Sequence, residues 1–339
     1  METRYCYILF LILLYTRCAG QQRPQYTQYI FNNYVLNPAI SGIENYIDFK
    51  AGYRAQWTGI EGAPVTQFFS IHGPLNKSDL TSSVTSFGGQ EDNPLSRSFV
   101  PSYRASEPHH GAGLYGVFDE AGPIRRMDLN ASYAYHLGIS AKTNLALGIA
   151  AGISSTNLDQ DMIRFQENDD PVLSSYLKTR IRPDLTAGLW FYGPLYFVGL
   201  SGQNLLGQTM SFTGQESGEY KRNKDVRHFF LTAGYKLFLS EDIAAVPSVM
   251  LKKVAPVPNS YDANIKFSFQ DKLWLGASYR HRDSFAAMLG FYFLNLCNVS
   301  YAYDMTISGL GSASRGSHEI IIGLLLDNTY RVVCPQKNW

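Results

Sequence analysis

From Tyr261 the chain reads Tyr-Asp-Ala-Asn-Ile-Lys-Phe-Ser-Phe, which places Tyr261, Ala263, Ile265, Phe267 and Phe269 on one face of an extended segment and Asp262, Asn264, Lys266 and Ser268 on the other. Successive side chains of a strand point to opposite faces, whereas helical spacing would scatter these residues around the whole circumference. The alternation recurs at 128–137, where Leu129, Ala131, Tyr133, Tyr135 and Leu137 oppose Asp128, Asn130, Ser132, Ala134 and His136. Near the start, Ile47, Phe49, Ala51 and Tyr53 oppose Asp48, Lys50, Gly52 and Arg54. Residues 145–153 alternate Leu and Ile with nothing larger than Ala. Similar stretches at 64–73, 111–118, 184–191, 194–200, 226–239, 243–251, 272–280, 284–293, 296–304 and 317–326 bring the count to about fourteen strands.

Nearly every strand carries one apolar face, and the fold class depends on where those faces go. Only 17% of residues are charged, against roughly a quarter in an ordinary soluble domain. The longest apolar run, Tyr7 to Tyr15, is far short of the roughly 18 residues a membrane-crossing helix needs, which rules out a helical bundle. A secreted β-sandwich or propeller also alternates, but it hides its apolar faces and has no need of a charge deficit. The pattern therefore predicts an all-β chain, a transmembrane antiparallel β-barrel of about fourteen strands with its apolar face toward lipid. Tight connections at Ile139–Lys142, Tyr192–Pro194, Ser240–Asp242, Gln270–Asp271 and Leu294–Asn295, with longer polar ones at 154–183, 201–225, 252–260 and 305–316, fit short periplasmic turns and long outer loops. Aromatic strand ends at Tyr53, Tyr135, Trp190, Tyr279, Tyr292 and Tyr301 suit an interfacial belt.

The barrel is expected over 45–326. Residues 1–20 read as a cleavable signal peptide: Arg4 begins it, Ile8–Leu14 forms its apolar stretch, and Cys18-Ala19-Gly20 closes it. Residues 21–44, rich in Gln, Asn, Pro and Tyr, form a non-strand segment, either a plug in the lumen or a periplasmic strap. Residues 76–110 read as a Ser/Pro/His-rich insertion, on the normally short-turn side if the first strand rises from the periplasm, and 327–339 as a C-terminal tail. Removing the signal from 29 basic and 28 acidic side chains leaves a neutral chain, which argues against nucleic acid as a partner. It also leaves two cysteines, Cys297 and Cys334, which are neither a zinc cluster nor a CxxC pair; they either form a disulfide tying the tail to a late strand or remain free thiols.

Several patterns have the residue types of a site without its spacing. Gly111-Ala112-Gly113-Leu114-Tyr115-Gly116 satisfies GxGxxG, but no helix begins there, and strand glycines instead let backbone approach closely. Asp159, Asp161, Glu167, Asp169 and Asp170 lack EF-hand spacing. His72, His109 and His110 lack companion ligands, so no metal or cofactor is expected. Ser317-His318-Glu319 cannot converge as a catalytic triad from adjacent strand positions, and no enzyme activity is expected. If the aromatic faces meet lipid, Asp48, Lys50, Arg54, Asp128, His136, Lys236, Asp262, Lys266 and Arg280 point into the lumen, toward water or toward a polar plug. Trp57 stands among Gln56, Gly59, Gly62 and Pro64 in the first outer loop, as a cargo anchor or as a member of the aromatic belt.

The run Gln25-Tyr26-Thr27-Gln28-Tyr29-Ile30-Phe31-Asn32, followed by Asn37-Pro38-Ala39 and Ser41-Gly42, resembles the N-terminal signature of the PorP/SprF proteins of the type IX secretion system. Tyr53-Arg54-Ala55-Gln56-Trp57, Gly62-Ala63-Pro64-Val65-Thr66-Gln67, His72-Gly73-Pro74-Leu75, Gly113-Leu114-Tyr115, Ala121-Gly122-Pro123-Ile124-Arg125-Arg126 and Ser132-Tyr133-Ala134-Tyr135-His136 continue it in family order. The resemblance implies a non-enzymatic outer-membrane barrel of Bacteroidota. Its implied partners are type IX components, outer-membrane lipid, and a large exported adhesin or its C-terminal domain, including those of gliding motility, displayed at the cell surface. It marks Gln25, Tyr26, Gln28, Tyr29, Asn37, Pro38, Arg54, Gln56, Trp57, Pro64, Gln67, His72 and Pro74 as candidate partner-binding or plug residues. The strand count alone leaves room for a solute channel of the fourteen-strand hydrophobic-transport type, and a barrel-embedded hydrolase is the third reading.

Overall fold

The computed structural model describes residues 27–75, 87–88, 103–159, 180–207, 226–254, 257–293, 296–327 and 332–333. Fourteen antiparallel strands close into a barrel: β1 (Ile47–Ala55), β2 (Val65–Leu75), β3 (His109–Ala121), β4 (Ile124–Ser140), β5 (Thr143–Leu158), β6 (Arg180–Tyr192), β7 (Tyr196–Gln203), β8 (His228–Tyr235), β9 (Ile243–Val254), β10 (Val257–Phe269), β11 (Leu273–Arg280), β12 (Ser284–Phe293), β13 (Cys297–Thr306) and β14 (Ser317–Leu326). Each pairs with its sequence neighbours, and the ring closes where β1 meets β14, Ile47 opposite Leu326 and Ala55 opposite His318. Closure leaves no strand edge to present unpaired N–H and C=O groups to lipid.

Alternation sets the two faces. Along β12 every second residue is buried, so Phe285, Leu289, Phe291 and Phe293 are exposed outside while Ser284, Ala286, Met288 and Gly290 face the lumen. The nine charged or histidine side chains assigned to the lumen from the sequence are all buried there. Two of the six aromatic strand ends depart from the expected belt: Trp190 and Tyr292 are buried and face inward. Trp190 stacks on Phe197 at 4.9 Å, over the space that Gly199 leaves.

The strands are longer than the apolar alternation suggested. β4 and β5 extend to Ile124 and Leu158, through Arg125, Arg126, Thr156 and Asn157. The ladder continues there with polar residues on both faces, which a hydrophobic pattern cannot register. The loop expected at 252–260 is correspondingly short, since β9 reaches Val254 and β10 begins at Val257. The strand expected over 226–239 breaks at Lys236 and resumes for Leu237–Phe238. At Gln270 and Asp271 both φ angles are positive, 49° and 53°. Lys272 N–H donates to Phe269 O at 3.0 Å, which is the primed turn that suits a two-residue hairpin.

One barrel end carries the connection 76–108, the tight turns 141–142, 193–195 and 270–272, the start of β1 and the end of β14. The opposite end carries 56–64, 159–179, 204–227 and 307–316. The insertion therefore leaves from the tight-turn end, as expected if β1 starts there. His109 and His110, expected within it, belong to β3. Just before them, Tyr103 and Ser106 are buried against Asn144, whose Nδ2 donates to the Tyr103 hydroxyl at 3.0 Å. Phe87–Gly88 and Val332–Val333 form a separate two-residue ladder.

Thr27–Tyr46 lies inside the barrel. It forms three single-turn 3-10 helices, Gln28–Ile30, Asn33–Val35 and Pro38–Ile40. Pro38 fits the first position of its turn because that turn needs no N–H from it, and the Asn37 side chain caps it by accepting from Ala39 N–H at 3.0 Å. Apolar residues of the segment complete the lumenal core: Ile30, Phe31, Val35 and Leu36 cluster with Phe68, Phe230, Met250 and Trp274. Tyr34, Ile40 and Ile43 cluster with Tyr115, Trp190 and Phe197. Each such burial stabilises by about 1.5–3 kcal/mol relative to exposure.

The segment rests directly on the wall where two strands carry glycine. A Cβ on Gly148 would overlap the backbone of Ala39, and one on Gly111 would overlap the carbonyl of Ser41. Gly148→Val is therefore expected to lower barrel stability by about 1–3 kcal/mol through overpacking. Gly309→Ala, where a Cβ meets nothing within 4 Å, should change it by less than about 0.5 kcal/mol. Thermal unfolding in detergent, followed by circular dichroism, checks both.

Candidate functional site

The lumen wall beside the segment is a polar surface whose charges are matched within it. At the loop-bearing end, Arg54 on β1 sends Nη1 to Glu319 Oε2 on β14 at 2.8 Å and Nη2 to Asp304 Oδ2 on β13 at 2.7 Å. Thr27 completes the cluster. Its backbone N–H donates to Glu319 at 2.9 Å, its hydroxyl donates to Asp304 at 2.5 Å, and that hydroxyl accepts from Arg54 at 2.8 Å. Gln28 follows, donating from Nε2 to Glu319 O at 3.0 Å. Arg280 pairs with Asp262 and Asp283, each at 3.2 Å, and Lys50 with Asp48 at 2.5 Å. Buried ions held in this way recover their desolvation cost only through such geometry.

From that cluster the segment crosses the lumen. Asn264 Nδ2 donates to the Tyr29 hydroxyl, Asn32 Nδ2 to Ser70 Oγ at 3.0 Å, and the Tyr34 hydroxyl pairs with Ser132 Oγ at 2.6 Å. Burial holds the Tyr29 phenol above its ordinary range and pushes Tyr34 up to about 12, so both keep their protons at physiological pH. Asn37 Nδ2 donates to Leu189 O on β6 at 3.0 Å, and Gln203 Nε2 on β7 donates to Val35 O at 3.1 Å. The Ser41-Gly42 turn is met by three histidines. His136 Nε2 lies 2.7 Å from Ser41 O, His109 Nε2 lies 3.1 Å from Gly42 O, and His72 Nδ1 accepts Gly42 N–H at 3.3 Å. His109 and His136 stack at 4.6 Å with ring planes 6° apart. The segment leaves past Tyr46, which clusters with Leu325, at the tight-turn end.

The candidate residues divide accordingly. Gln28, Tyr29, Asn37, Pro38, Arg54 and His72 are buried in this interface between segment and wall. Pro74 is half-buried, its Cα beside Gly42. Gln25 and Tyr26 lie outside the described residues, as do Cys334 and Asp161, Glu167, Asp169 and Asp170. Gln67 is exposed on the outer face, opposite Tyr53. Gln56 and Pro64 close the first loop, Gln56 N–H donating to Pro64 O at 2.9 Å. Trp57, half-buried with a φ of 50°, donates its N–H to Ser317 Oγ at 3.0 Å. Ser317 and Glu319 are buried toward the lumen, whereas His318 faces outward against the Tyr301 hydroxyl at 2.7 Å.

Sequence reading missed Thr27, Tyr34, Ser41, Asp304 and Glu319 as partners. The signal for the last two was present, since the parity of β13 and β14 turns both inward beside Arg54. Arg54→Ala is expected to destabilise the barrel by about 3–5 kcal/mol, because it strands two buried carboxylates. Arg54→Lys should cost less, keeping the charge but losing the two-pronged fork. Urea or thermal unfolding of the purified protein measures both.

No curated protein matches the sequence. Among solved structures the chain is similar to the Ralstonia pickettii toluene transporter TbuX, at 12% identity and a TM-score of 0.46 over 85% of this chain and 91% of that one. It is also similar to the Acinetobacter baumannii outer membrane protein Omp33, at 9% identity and a TM-score of 0.44 over 84% and 100%. The P. putida toluene transporter TodX is similar at 11% identity and a TM-score of 0.42 over 85% and 90%. The family profile described as type IX secretion system membrane protein PorP/SprF matches residues 19–324, well past the N-terminal motifs that first suggested it. The chain, an outer-membrane β-barrel with an apolar exterior and a charge-paired lumen, belongs to the PorP/SprF family of type IX secretion system membrane proteins.

Proposed function

We propose that this barrel works in type IX secretion by binding rather than by catalysis, holding a large exported adhesin at the cell surface and docking the secretion machinery beneath it. The family match over residues 19–324 carries the reading. In this arrangement the end with the tight turns, where β1 starts and β14 ends, is periplasmic. The outer end then presents 159–179 and 204–227 to a cargo domain, and the insertion 76–108 meets periplasmic partners. Two features support a rigid platform at the outer end. The first loop is tied on both sides, Thr58 N–H to Gly316 O at 2.8 Å and Gly122 N–H to Gly62 O at 2.9 Å. Arg125 pairs with Asp159 at 2.7 Å where β5 ends. A gliding-associated adhesin is the expected cargo.

In the same reading Thr27–Tyr46 is a plug. Its buried bonds to both halves of the wall count against a standing solute path, and two lumenal cavities beside it measure about 40 and 50 Å³, the room of a few waters each. Affinity purification of the tagged barrel from its host's outer membrane, followed by mass spectrometry, is expected to recover a large adhesin together with type IX components. Shortening 208–225 should lose the adhesin while the barrel still assembles. A barrel recovered without partners in several mild detergents would overturn the reading. In planar bilayers the intact protein is expected to give no steady conductance, and a persistent current would favour the solute-channel alternative.

A further inference from the structure

We infer that Glu44, Asp48 and His72 form a binding site for one divalent transition-metal cation, which clips the exit of the N-terminal segment to strands β1 and β2. The three residues are 6%, 5% and 3% exposed. One potential ligand atom from each lies within 4.8 Å of the other two. They converge from three places: Glu44 from the end of the segment, Asp48 from the second position of β1, and His72 from its register partner on β2.

The arrangement differs from a pair of ordinary ion pairs. His72 Nδ1 accepts the Gly42 N–H, so it is the unprotonated nitrogen of a neutral ring. Yet Glu44 Oε2 stands only 3.7 Å from that nitrogen, which brings two electron-pair donors face to face. Lys50 neutralises Asp48 through Oδ2. A cation between Glu44 and His72 would take up the two facing lone pairs. It would compete with the long 3.3 Å Gly42 contact for Nδ1 and with Lys50 for Asp48.

A second observation points into the same space. Asn298 on β13 is 3% exposed, its Oδ1 has no hydrogen-bond partner, and it lines the same cavity as the three ligands. That oxygen lies over Gly323 on β14, opposite Lys50, and would serve as acceptor for a metal-bound water. The cavity, about 50 Å³, holds a cation and one or two waters, each water needing roughly 10–15 Å³. One imidazole among oxygen donors selects Zn²⁺ or Mn²⁺ over Ca²⁺, which prefers an all-oxygen shell. Tyr34 packs against the His72 ring at 4.3 Å and fixes its orientation. The inference stands apart from the secretion role.

The test uses the full-length barrel in mild detergent, stripped with chelator and titrated with ZnCl₂, MnCl₂ and CaCl₂ by calorimetry, with thermal unfolding in parallel. The expected result is one equivalent of Zn²⁺ or Mn²⁺ bound, a rise in Tm of several degrees, and weaker binding of Ca²⁺. Glu44→Gln, nearly isosteric, should weaken binding at least tenfold while the barrel stays folded. Lys50→Met, which removes the competing ammonium, should tighten it. Absence of saturable binding would overturn the inference. So would binding that Glu44→Gln and His72→Gln leave unchanged, which would mark an adventitious ion at exposed groups such as His110.

Discussion

A bilayer offers no water to backbone N–H and C=O groups, and this chain meets that condition by closing its fourteen long strands into one ladder, β14 onto β1. Closure under period-two alternation then assigns the side chains. Apolar residues go outward, and the polar remainder is collected in a space roughly one barrel wide. Charges gathered there need partners, because a dry lumen is no kinder to them than the membrane. Arg54, Asp304 and Glu319 pair across the closing seam, and Thr27 bonds to all three. The N-terminal segment is thus the second half of the barrel's core, supplying backbone donors to the wall's carboxylates and apolar rings that pack against the wall's own.

How much of this was legible depends on the kind of pattern. β12 and β14 were delimited from the sequence at 284–293 and 317–326, the bounds they have in the fold, because apolar and polar residues alternate without interruption to both ends. β4 and β5 overran their expected limits, since Arg125, Arg126 and Thr156 carry no apolar signal although they continue the ladder. Lys236 broke a strand that periodicity had left whole. Inward-facing charges followed from parity alone, whereas Trp190 and Tyr292 were read as belt aromatics because aromatic character suggested lipid when parity, here the better guide, pointed inward.

The N-terminal segment was legible only as something other than a strand. Its Pro, Asn and Gln content excluded regular pairing, but which wall it would meet rests on contacts between residues as distant as Thr27 and Glu319, and no local pattern encodes those. Gly111 shows the same limit from the other side. Its place in a GxGxxG string invited a nucleotide, and close backbone approach was the correct physical reading, yet the approaching group, the carbonyl of Ser41, was invisible until the fold brought it there. Glu44 and Asp48 likewise join His72 only through register and the course of the segment, so ligand spacing in the sequence gave no warning of them.

The cluster at Thr27 also imposes an order on biogenesis. Thr27 belongs to the earliest part of the barrel-forming chain to be synthesised, and its partners on β13 and β14 to the last. Until those final strands arrive, the segment has neither its ionic anchor nor a closed wall to pack against, while β1 waits with an open edge. Loop-closure entropy across nearly the whole chain must be met before any of these contacts reward it. Filling the lumen and sealing the seam are therefore one event at the end of assembly, and until then the nascent chain depends on whatever holds its first and last strands within reach of each other.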